Sequence, residues 1–365
     1  MPAPSEPVAG LRVGIIGGGF MADVHSRAVR SSFGRVVALA SSSPERAAAP
    51  ARRVGAERAV SVDDLLAADD IDVVHVCSPN ATHTDLARRA LAAGKHVVCE
   101  KPLAVTVAEA EELVGLAAVS GLVTSVPFVY RFHPLVRELR SRLAGQRVFS
   151  VQGAYLQDWL LDPADDNWRV DEGAGGASRA FGDIGSHLVD LIEFVTGDRI
   201  VAVRAHTRTV HPERGGHPVA TEDLVAAVAE FAGGAVGTLL VSQVAAGRKN
   251  GLTVEISTPQ ESLRFEQESP ETVWIGRRRG SELLPRDADQ LSADAARLCA
   301  VPSGHPMGYQ DAFNAFVADT YAAVRGAAPD GLPVFADGLR AAQVTAAVLE
   351  SARTGTDVTL PEGPA

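Results

Sequence analysis

Short apolar runs alternate with helical patterns along the first third of the chain. The runs, such as LRVGIIG (11–17), RVVALA (35–40) and DVVHVCSP (72–79), are nearly continuous in aliphatic residues. Strands of this kind are buried on both faces, and their alternation with helices indicates a parallel sheet. The pattern predicts helices over 21–32, 44–54, 62–68, 83–93 and 107–120. We therefore expect a doubly wound α/β domain, of the Rossmann type, over residues 1–129.

After residue 130 the pattern changes. A helix at 133–145 and a strand at 148–157 precede a polar loop and another helix, and six strand-like segments then follow at 200–210, 224–231, 235–244, 252–258, 261–266 and 272–276. Short turns between strands suit an open, mainly antiparallel sheet, so residues 130–365 are predicted to form an α+β domain for substrate binding and oligomerisation. Two helices, 309–325 and 336–354, close the chain, and the last could pack back on the first domain. The first ten and last ten residues are predicted to be disordered.

Composition narrows the function classes. With 34 basic and 45 acidic residues, the 365-residue chain carries a net charge of −11, which disfavours nucleic acid and anionic membranes as partners. No apolar run approaches the roughly 20 residues of a membrane span, and no signal peptide is visible, so we expect a cytoplasmic protein. The three cysteines form no ligand pair, and no cluster of His, Cys and carboxylates has metal-ligand spacing. No metal is predicted.

A glycine-rich turn joins the first strand to the first helix. It contains Gly17-x-Gly19-x-x-Ala22, with Phe20 and Met21 at the start of the helix. In a dinucleotide-binding fingerprint the first glycine permits the tight turn and the second lets backbone approach the pyrophosphate. The helix N-terminus then presents free N–H groups to the phosphates. This context predicts a nicotinamide dinucleotide cofactor.

The end of the second strand bears on the choice between NAD and NADP. An acidic residue there would bind the ribose 2′-hydroxyl, but the chain has Ser41 and Ser42, with Arg46 one turn later. Small hydroxyls and a guanidinium favour NADP. The serines could equally form a turn that caps the helix starting at Pro44, which is compatible with either cofactor.

Five motifs in order resemble those of the glucose–fructose oxidoreductase, inositol dehydrogenase and MocA (Gfo/Idh/MocA) family. The most specific is AAGKHVVCEKPLA (92–104); the others after the glycine turn are VCSPNATH (76–83), YRFHP (130–134), an Asp-x-x-x-His segment (183–187) and DGLRAAQVTAAVLESARTG (337–355). The resemblance implies that Lys101 lies beside the nicotinamide and the reacting carbon and that Glu100 contacts the nicotinamide ribose. It also places Ser78, Pro79, Asn80 and His83 at the nicotinamide half of the cofactor, and Trp168 and Arg169 near it. A cap by Thr82 and a turn at Pro79 are local alternatives.

Asp183 and His187 are four residues apart and so share one face of a helix. The resemblance implies that His187 accepts the substrate proton and that Asp183 holds a substrate hydroxyl, with Lys101 as the third catalytic group. Histidine suits proton transfer because its reference pKa is about 6.5. Taken alone, however, Asp183 could cap a helix and His187 could pair with Asp190.

Further substrate contacts are predicted for Arg131, Tyr155, Trp159 and Tyr309, with Asp158 a weaker candidate. Ordinary packing is an alternative for each: Arg131 could brace the two domains, and Tyr309 could begin a helix. The sequence thus predicts an NAD(P)-dependent dehydrogenase that interconverts a secondary alcohol and a ketone on a sugar, inositol or related polyol. The rivals are a biosynthetic keto-sugar reductase and a non-catalytic nicotinamide-binding sensor. Alternating apolar positions in the second sheet predict a homodimer or homotetramer.

Overall fold

The first domain is built on a six-stranded parallel sheet. A computed structural model describes residues 10–361, and the strands of this sheet are β1 (Arg12–Ile16), β2 (Arg35–Ala40), β3 (Arg58–Val60), β4 (Val73–Val76), β5 (His96–Cys99) and β6 (Thr124–Ser125). Their order is β3-β2-β1-β4-β5-β6. The helices between them are α1 (Phe20–Ser31), α2 (Pro44–Val54), α3 (Val62–Ala67), α4 (His83–Ala92) and α5 (Val107–Ser120). The doubly wound fold is confirmed, and the strand order reverses between β1 and β4, where such sheets bind ligands.

Local signals set the ends of these helices. Ser43 Oγ accepts a hydrogen bond from the backbone N–H of Arg46 at the start of α2. Thr106 and Glu109 form a reciprocal capping box at the start of α5. Each cap satisfies N–H groups that the helix leaves free. The helices consequently begin within one residue of the predicted positions.

The second domain carries a nine-stranded sheet. Its elements are α6 (Pro134–Leu143), β7 (Ser150–Leu156), α7 (Glu172–Gly175), α8 (Ser186–Thr196), β8 (Ile200–Arg208), β9 (Glu213–Arg214), β10 (His217–Pro218), β11 (Leu224–Phe231), β12 (Val236–Ser242), β13 (Gly251–Ser257), β14 (Ser262–Glu266), β15 (Thr272–Arg277), β16 (Gly280–Pro285), α9 (Ala293–Ala296), α10 (Tyr309–Val324), α11 (Phe335–Thr354) and β17 (Val358–Thr359). The strand order is β16-β15-β14-β13-β7-β12-β11-β8-β17, with β9 and β10 as a separate hairpin. Only the pair β7 and β12 is parallel in this sheet, among the residues described. The mainly antiparallel second sheet is confirmed.

The two C-terminal helices join the domains. Phe316 and Tyr321 of α10 pack in the core that contains α1, whereas α11 places Phe335 in a first-domain core and Val348 in the core of the second. The domain division at residue 130 stays a prediction. Among residues 10–361, none of the helices is both long and apolar enough to span a membrane.

The predicted disorder of the last ten residues is wrong for part of that segment. Val358 and Thr359 pair with β8, and the backbone N–H of Leu360 donates to the carbonyl of Val201. The strand is short and polar on one side, so its apolar pattern is weak and only its long-range partner defines it. Residues 1–9 and 362–365, to which the same prediction applies, lie outside the described residues.

Candidate active site

A cavity of about 920 Å³ runs along the carboxyl ends of the first-domain strands. All fifteen residues predicted to bind the cofactor line it: Gly17, Gly19, Phe20, Met21, Ser41, Ser42, Arg46, Ser78, Pro79, Asn80, His83, Glu100, Lys101, Trp168 and Arg169. The cavity therefore connects the glycine turn, the end of β2 and the loop after β5. Its size falls in the range of cofactor sites, about 300–1,000 Å³.

The glycine turn fits a dinucleotide. Gly17 has a φ of +117°, and a Cβ there would lie 2.4 Å from the carbonyl oxygen of Cys77. Gly19 precedes α1, and a Cβ at Gly19 would have no neighbouring atom within 4 Å. The start of α1 has no side-chain cap, so its N–H groups face open space where a pyrophosphate fits.

Some residues of the cavity wall stabilise the loops that form it. His83 is fully buried, and its two ring nitrogens lie 2.7 Å from the carbonyl oxygen of Pro102 and 2.9 Å from that of Ser78. Asn80 donates from Nδ2 to the carbonyl of Gly175, 2.9 Å away. His83 thus joins the loop after β4 to the loop after β5, and Asn80 ties the first domain to the second.

Lys101 and Asp183 meet across the two domains at the inner end of this cavity. Lys101 Nζ donates to Asp183 Oδ1 at 2.6 Å and to its backbone carbonyl at 3.0 Å. Gln243 Nε2 donates to the other carboxylate oxygen at 2.9 Å, and Arg169 Nε lies 3.5 Å from Oδ1. Burial alone would raise the pKa of Asp183, but the charges of Lys101 and Arg169 lower it to about 2. Asp183 is therefore a carboxylate that fixes the Lys101 ammonium.

The segment that carries Asp183 is a π-helical turn, Phe181–Gly185, ahead of α8. Glu222 anchors its start, because Oε1 of Glu222 accepts the backbone N–H of Phe181 at 2.9 Å and the hydroxyl of Ser178 at 2.7 Å. A Cβ at Gly185 would lie 2.6 Å from the ring of Phe181. Asp183 consequently does not cap a helix, which was one alternative from the sequence. π-helical turns are frequent at functional sites.

His187 is buried, and its ring makes no hydrogen bond to the described residues. Its imidazole is 7% exposed, packs edge-on against Phe128 and Tyr130, and has a buried Nδ1 without a partner among the described residues. Burial, and then the charge of Lys101, lowers its pKa to about 3. His187 is neutral at pH 7. The sequence alternative, a pair with Asp190, is wrong because Asp190 binds Arg131.

Three other predicted substrate contacts have different surroundings. Tyr155 lies beneath His187 at a ring distance of 6.5 Å, and its hydroxyl bonds Tyr130 at 2.5 Å and Asn250 at 2.6 Å. Tyr309 is the first residue of α10. Burial raises the pKa of its phenol, and the nearby charges of Glu100 and Asp183 raise it further. Trp159 packs on a small apolar cluster and donates to Gln157. Both tyrosines therefore lie near the charge of Asp183, and Tyr309 also lies near that of Glu100.

Arg131 is placed away from this site. Arg131 donates to Asp190 at 2.9 Å through Nε and to Asp337 at 2.8 Å through Nη2, and it stacks on Phe194. These contacts link the start of the second domain to α8 and α11. They match the bracing alternative, whereas substrate contact by Arg131 stays a prediction without support from this arrangement. Asp158, the weaker candidate, pairs with Lys249 at the surface.

Replacing Arg131 with methionine distinguishes the two roles. We expect the free energy of unfolding to fall by about 3–5 kcal/mol, since a buried carboxylate loses its partner, while KM for the substrate stays unchanged. Denaturant unfolding and steady-state kinetics measure both. Arg140→Met is the matched control, because Arg140 also stacks on Phe194 but pairs with Asp330 at the surface, and it should cost at most about 1 kcal/mol. A raised KM with unchanged stability would instead support substrate binding.

Gln243 and Glu222 were missed by the sequence reasoning. Gln243 follows β12 and is fully buried, and Glu222 precedes β11 and is 4% exposed. A polar residue at the buried end of an apolar strand is the signal that could have found each. Among the described residues, no group of three His, Cys, Asp or Glu side chains could hold a metal ion.

Two family models match most of the chain. Residues 11–128 match the family model of the oxidoreductase family with an NAD-binding Rossmann fold, and residues 136–264 match that of the GFO/IDH/MocA C-terminal domain. The chain belongs to the Gfo/Idh/MocA family. The predicted resemblance is confirmed, and the chain is accordingly an NAD(P)-dependent oxidoreductase within a family that contains sugar and polyol dehydrogenases.

Three Gfo/Idh/MocA relatives cover nearly the whole chain. Levoglucosan dehydrogenase from Pseudarthrobacter phenanthrenivorans is 32% identical over 96% of this chain and 98% of its own length. An oxidoreductase domain protein from Kribbella flavida superimposes with a TM-score of 0.90 at 34% identity, covering 97% of this chain and 100% of its own. An inositol dehydrogenase homologue from Azotobacter vinelandii, solved with NADH and myo-inositol, gives a TM-score of 0.84 at 26% identity over 96% and 97% of the two chains.

Proposed function

We propose that the protein interconverts a secondary alcohol and a ketone on a sugar, inositol or related polyol, with Lys101 and His187 as catalytic residues and Asp183 as the residue that positions Lys101. One observation carries the proposal. Lys101, which lines the cavity with the predicted cofactor residues, is held by the Asp183 carboxylate and lies near the buried imidazole of His187, which makes no hydrogen bond to the described residues. Relatives named for levoglucosan and inositol support the substrate class.

Each residue has a distinct task. The nicotinamide, when bound, takes or gives the hydride. The Lys101 ammonium donates a hydrogen bond to the substrate oxygen and stabilises the negative charge that develops there. His187, being neutral, accepts the hydroxyl proton during oxidation and returns it during reduction. Asp183 accepts hydrogen bonds from Lys101 and Gln243, so its task in this proposal is to position Lys101. A contact of Asp183 with a substrate hydroxyl stays a prediction from the sequence.

The direct test follows reduced-nicotinamide absorbance. Purified protein is mixed with NAD or NADP and a panel of inositols, sugars and anhydrosugars, and with NADH or NADPH and the matching ketones. Turnover of at least one polyol is expected. Turnover of ketones alone would favour the keto-sugar reductase, and cofactor binding without any turnover would favour the sensor. Action in the cytoplasm stays a prediction from the sequence.

We propose NADP as the preferred cofactor over NAD. Ser41, Ser42 and Arg46 line the cavity at the end of β2, and Arg46 Nη1 lies 3.4 Å from Ser42 Oγ. A guanidinium beside two hydroxyls suits a 2′-phosphate, while a carboxylate at the same place would suit the bare ribose. Solved relatives carry NADH or NAD+, so NAD is the rival.

Substitutions of Arg46 and of Ser42 at the end of β2 test the preference for NADP over NAD. Arg46→Ala is expected to lower kcat/KM with NADP by about 10- to 150-fold, because one charged hydrogen bond is worth about 1.5–3 kcal/mol, and to leave the value with NAD unchanged. Ser42→Asp should reverse the preference toward NAD. Arg53→Ala, which removes a nearby guanidinium bonded to Asp23 and Gly18, is the control. Equal losses with both cofactors would contradict the assignment.

We also propose a homo-oligomer, a dimer or tetramer, formed through the open face of the second sheet. Val228, Val236 and Leu240 on neighbouring strands β11 and β12 are 45%, 51% and 41% exposed. Apolar positions in such a patch favour association with a second copy. Light scattering at micromolar concentration should give at least a dimer mass, and the double change Val228→Glu with Leu240→Glu should lower it. A monomer mass for the unchanged protein would contradict this.

A further inference from the structure

Four buried side chains form one line of hydrogen bonds that ends at the cavity. Glu100 Oε1 lies 3.0 Å from His25 Nε2, His25 Nδ1 lies 2.7 Å from His75 Nδ1, and His75 Nε2 lies 3.1 Å from Tyr321 Oη. The four residues come from the loop after β5, α1, β4 and α10. His25, His75 and Tyr321 are completely buried, and Glu100 is 6% exposed.

The contacts fix the direction of the protons. If Glu100 carried a proton and donated it, every later donor would point toward Tyr321, whose O–H would then have no acceptor among the described residues. In the opposite direction each group is satisfied: Tyr321 donates to His75, His75 to His25, and His25 to the Glu100 carboxylate. Because buried donors without acceptors are costly, the second direction is favoured.

In this direction both oxygens of Glu100 accept hydrogen bonds, from His25 and from the backbone N–H of Lys101, so Glu100 is a carboxylate. Burial, and then the neighbouring His25, lowers the pKa of His75 well below its usual range. Burial opposes ionisation of Glu100, but the bond from His25 and the charge of Lys101 lower its pKa. Among the described residues, the titratable groups near Glu100 besides His25 are Lys101, His187, His83, Tyr309 and the thiols of Cys77 and Cys99.

The Glu100 carboxylate lines the cavity, where its charge can act on a bound cofactor. If the end of β2 and the glycine turn held the adenosine and the pyrophosphate, the nicotinamide would extend to the cavity wall formed by Glu100 and Lys101. The oxidised nicotinamide ring is positively charged, and the reduced ring is neutral. A carboxylate held beside the ring therefore stabilises the oxidised form selectively.

We propose that His25, His75 and Tyr321 are positioning residues that hold Glu100 ionised and aimed at the nicotinamide ring, and so set the relative affinity for oxidised and reduced cofactor. The inference rests on the proposed function, since it needs the nicotinamide in this cavity. Its consequence is that residues with no contact to the cofactor tune the balance between alcohol oxidation and ketone reduction.

The test compares dissociation constants for oxidised and reduced cofactor, measured by fluorescence titration of the full chain. In His25→Leu, Glu100 loses its side-chain donor and keeps only the backbone N–H of Lys101 at 3.2 Å. The loss favours protonation of Glu100, so the oxidised cofactor should bind about tenfold more weakly and the reduced cofactor as before. His25→Gln keeps a donor and an acceptor and should restore the ratio. Thr320→Val is the matched control, because it removes a buried hydroxyl beside Tyr321 that bonds Ser125 and Phe316 instead.

Tyr321→Phe covers the case in which His25→Leu fails to fold. It removes only the distal hydroxyl, and a smaller shift of the same sign is expected because the direction of donation is no longer fixed. Equal weakening of both cofactor forms, or an unchanged ratio in a folded variant, would overturn the inference. Failure of the unchanged protein to bind either cofactor would instead overturn the proposed function, so the two failures can be told apart.

Discussion

Replacing Lys101 with alanine is expected to lower kcat by about a thousandfold while the dissociation constant of the cofactor changes little. Loss of one donor that stabilises a developing oxyanion costs about 10²–10³ in kcat, and Asp183 would also be left as a buried carboxylate without its closest partner. Stopped-flow measurement of the hydride step, together with a cofactor titration, separates chemistry from binding.

Lys95→Ala is the control for the Lys101 experiment. Lys95 lies just before β5, at the opposite end of the strand from Lys101, and its ammonium bonds the carbonyls of Ala68 and Ile71. Its removal should lower stability and leave kcat unchanged. A Lys101→Ala enzyme with nearly full kcat would remove lysine from the mechanism, and the alkoxide would then need another stabilising group.

Replacing His187 with asparagine is expected to lower kcat by about 10²–10⁴, the usual contribution of a positioned acid or base. The ring is buried against Tyr130 and carries no hydrogen bond to the described residues, so the change removes a proton acceptor without breaking a network. His133→Asn is the control, because His133 also lies on the ring of Tyr130 and is 3% exposed. An equal loss of kcat in both variants would point to packing rather than proton transfer.

The low pKa of His187 predicts how the rates of oxidation and reduction depend on pH. Since burial and Lys101 lower its pKa to about 3, His187 stays neutral between pH 8 and pH 5, and kcat/KM for alcohol oxidation should not fall with its titration in that window. Reduction needs the protonated ring, whose population rises about tenfold for each unit by which the pH falls. We therefore expect kcat/KM for ketone reduction to rise toward acid. A loss of oxidation centred near pH 6.5 would contradict the low pKa.

The residues predicted to bind the cofactor do line one cavity, and the sequence could bring them together because the determinants are local. The turn at Gly17 and the Glu100–Lys101 pair each follow a buried strand, and parallel strands bring their carboxyl ends to one edge. Asp183 and His187 were predicted as a pair, but only the structure shows that Asp183 lies in a π-helical turn and His187 in the first turn of α8.

What the sequence could not predict depends on contacts between distant segments. Gln243 reaches Asp183 from 60 residues away, and Glu222 reaches Phe181 from 41. Arg131 is ambiguous for the same reason, because its partners Asp190 and Asp337 lie far along the chain. No periodicity encodes such pairs, since each is decided by how sheets and helices pack.

The ion pair of Lys101 and Asp183 has one further consequence. Lys101 belongs to the domain that carries the nucleotide cavity, and Asp183 belongs to the domain whose sheet supplies Gln243 and Tyr155. Substitutions on that sheet can therefore reshape the surroundings of the proposed substrate while the glycine turn, Glu100 and Lys101 stay unchanged.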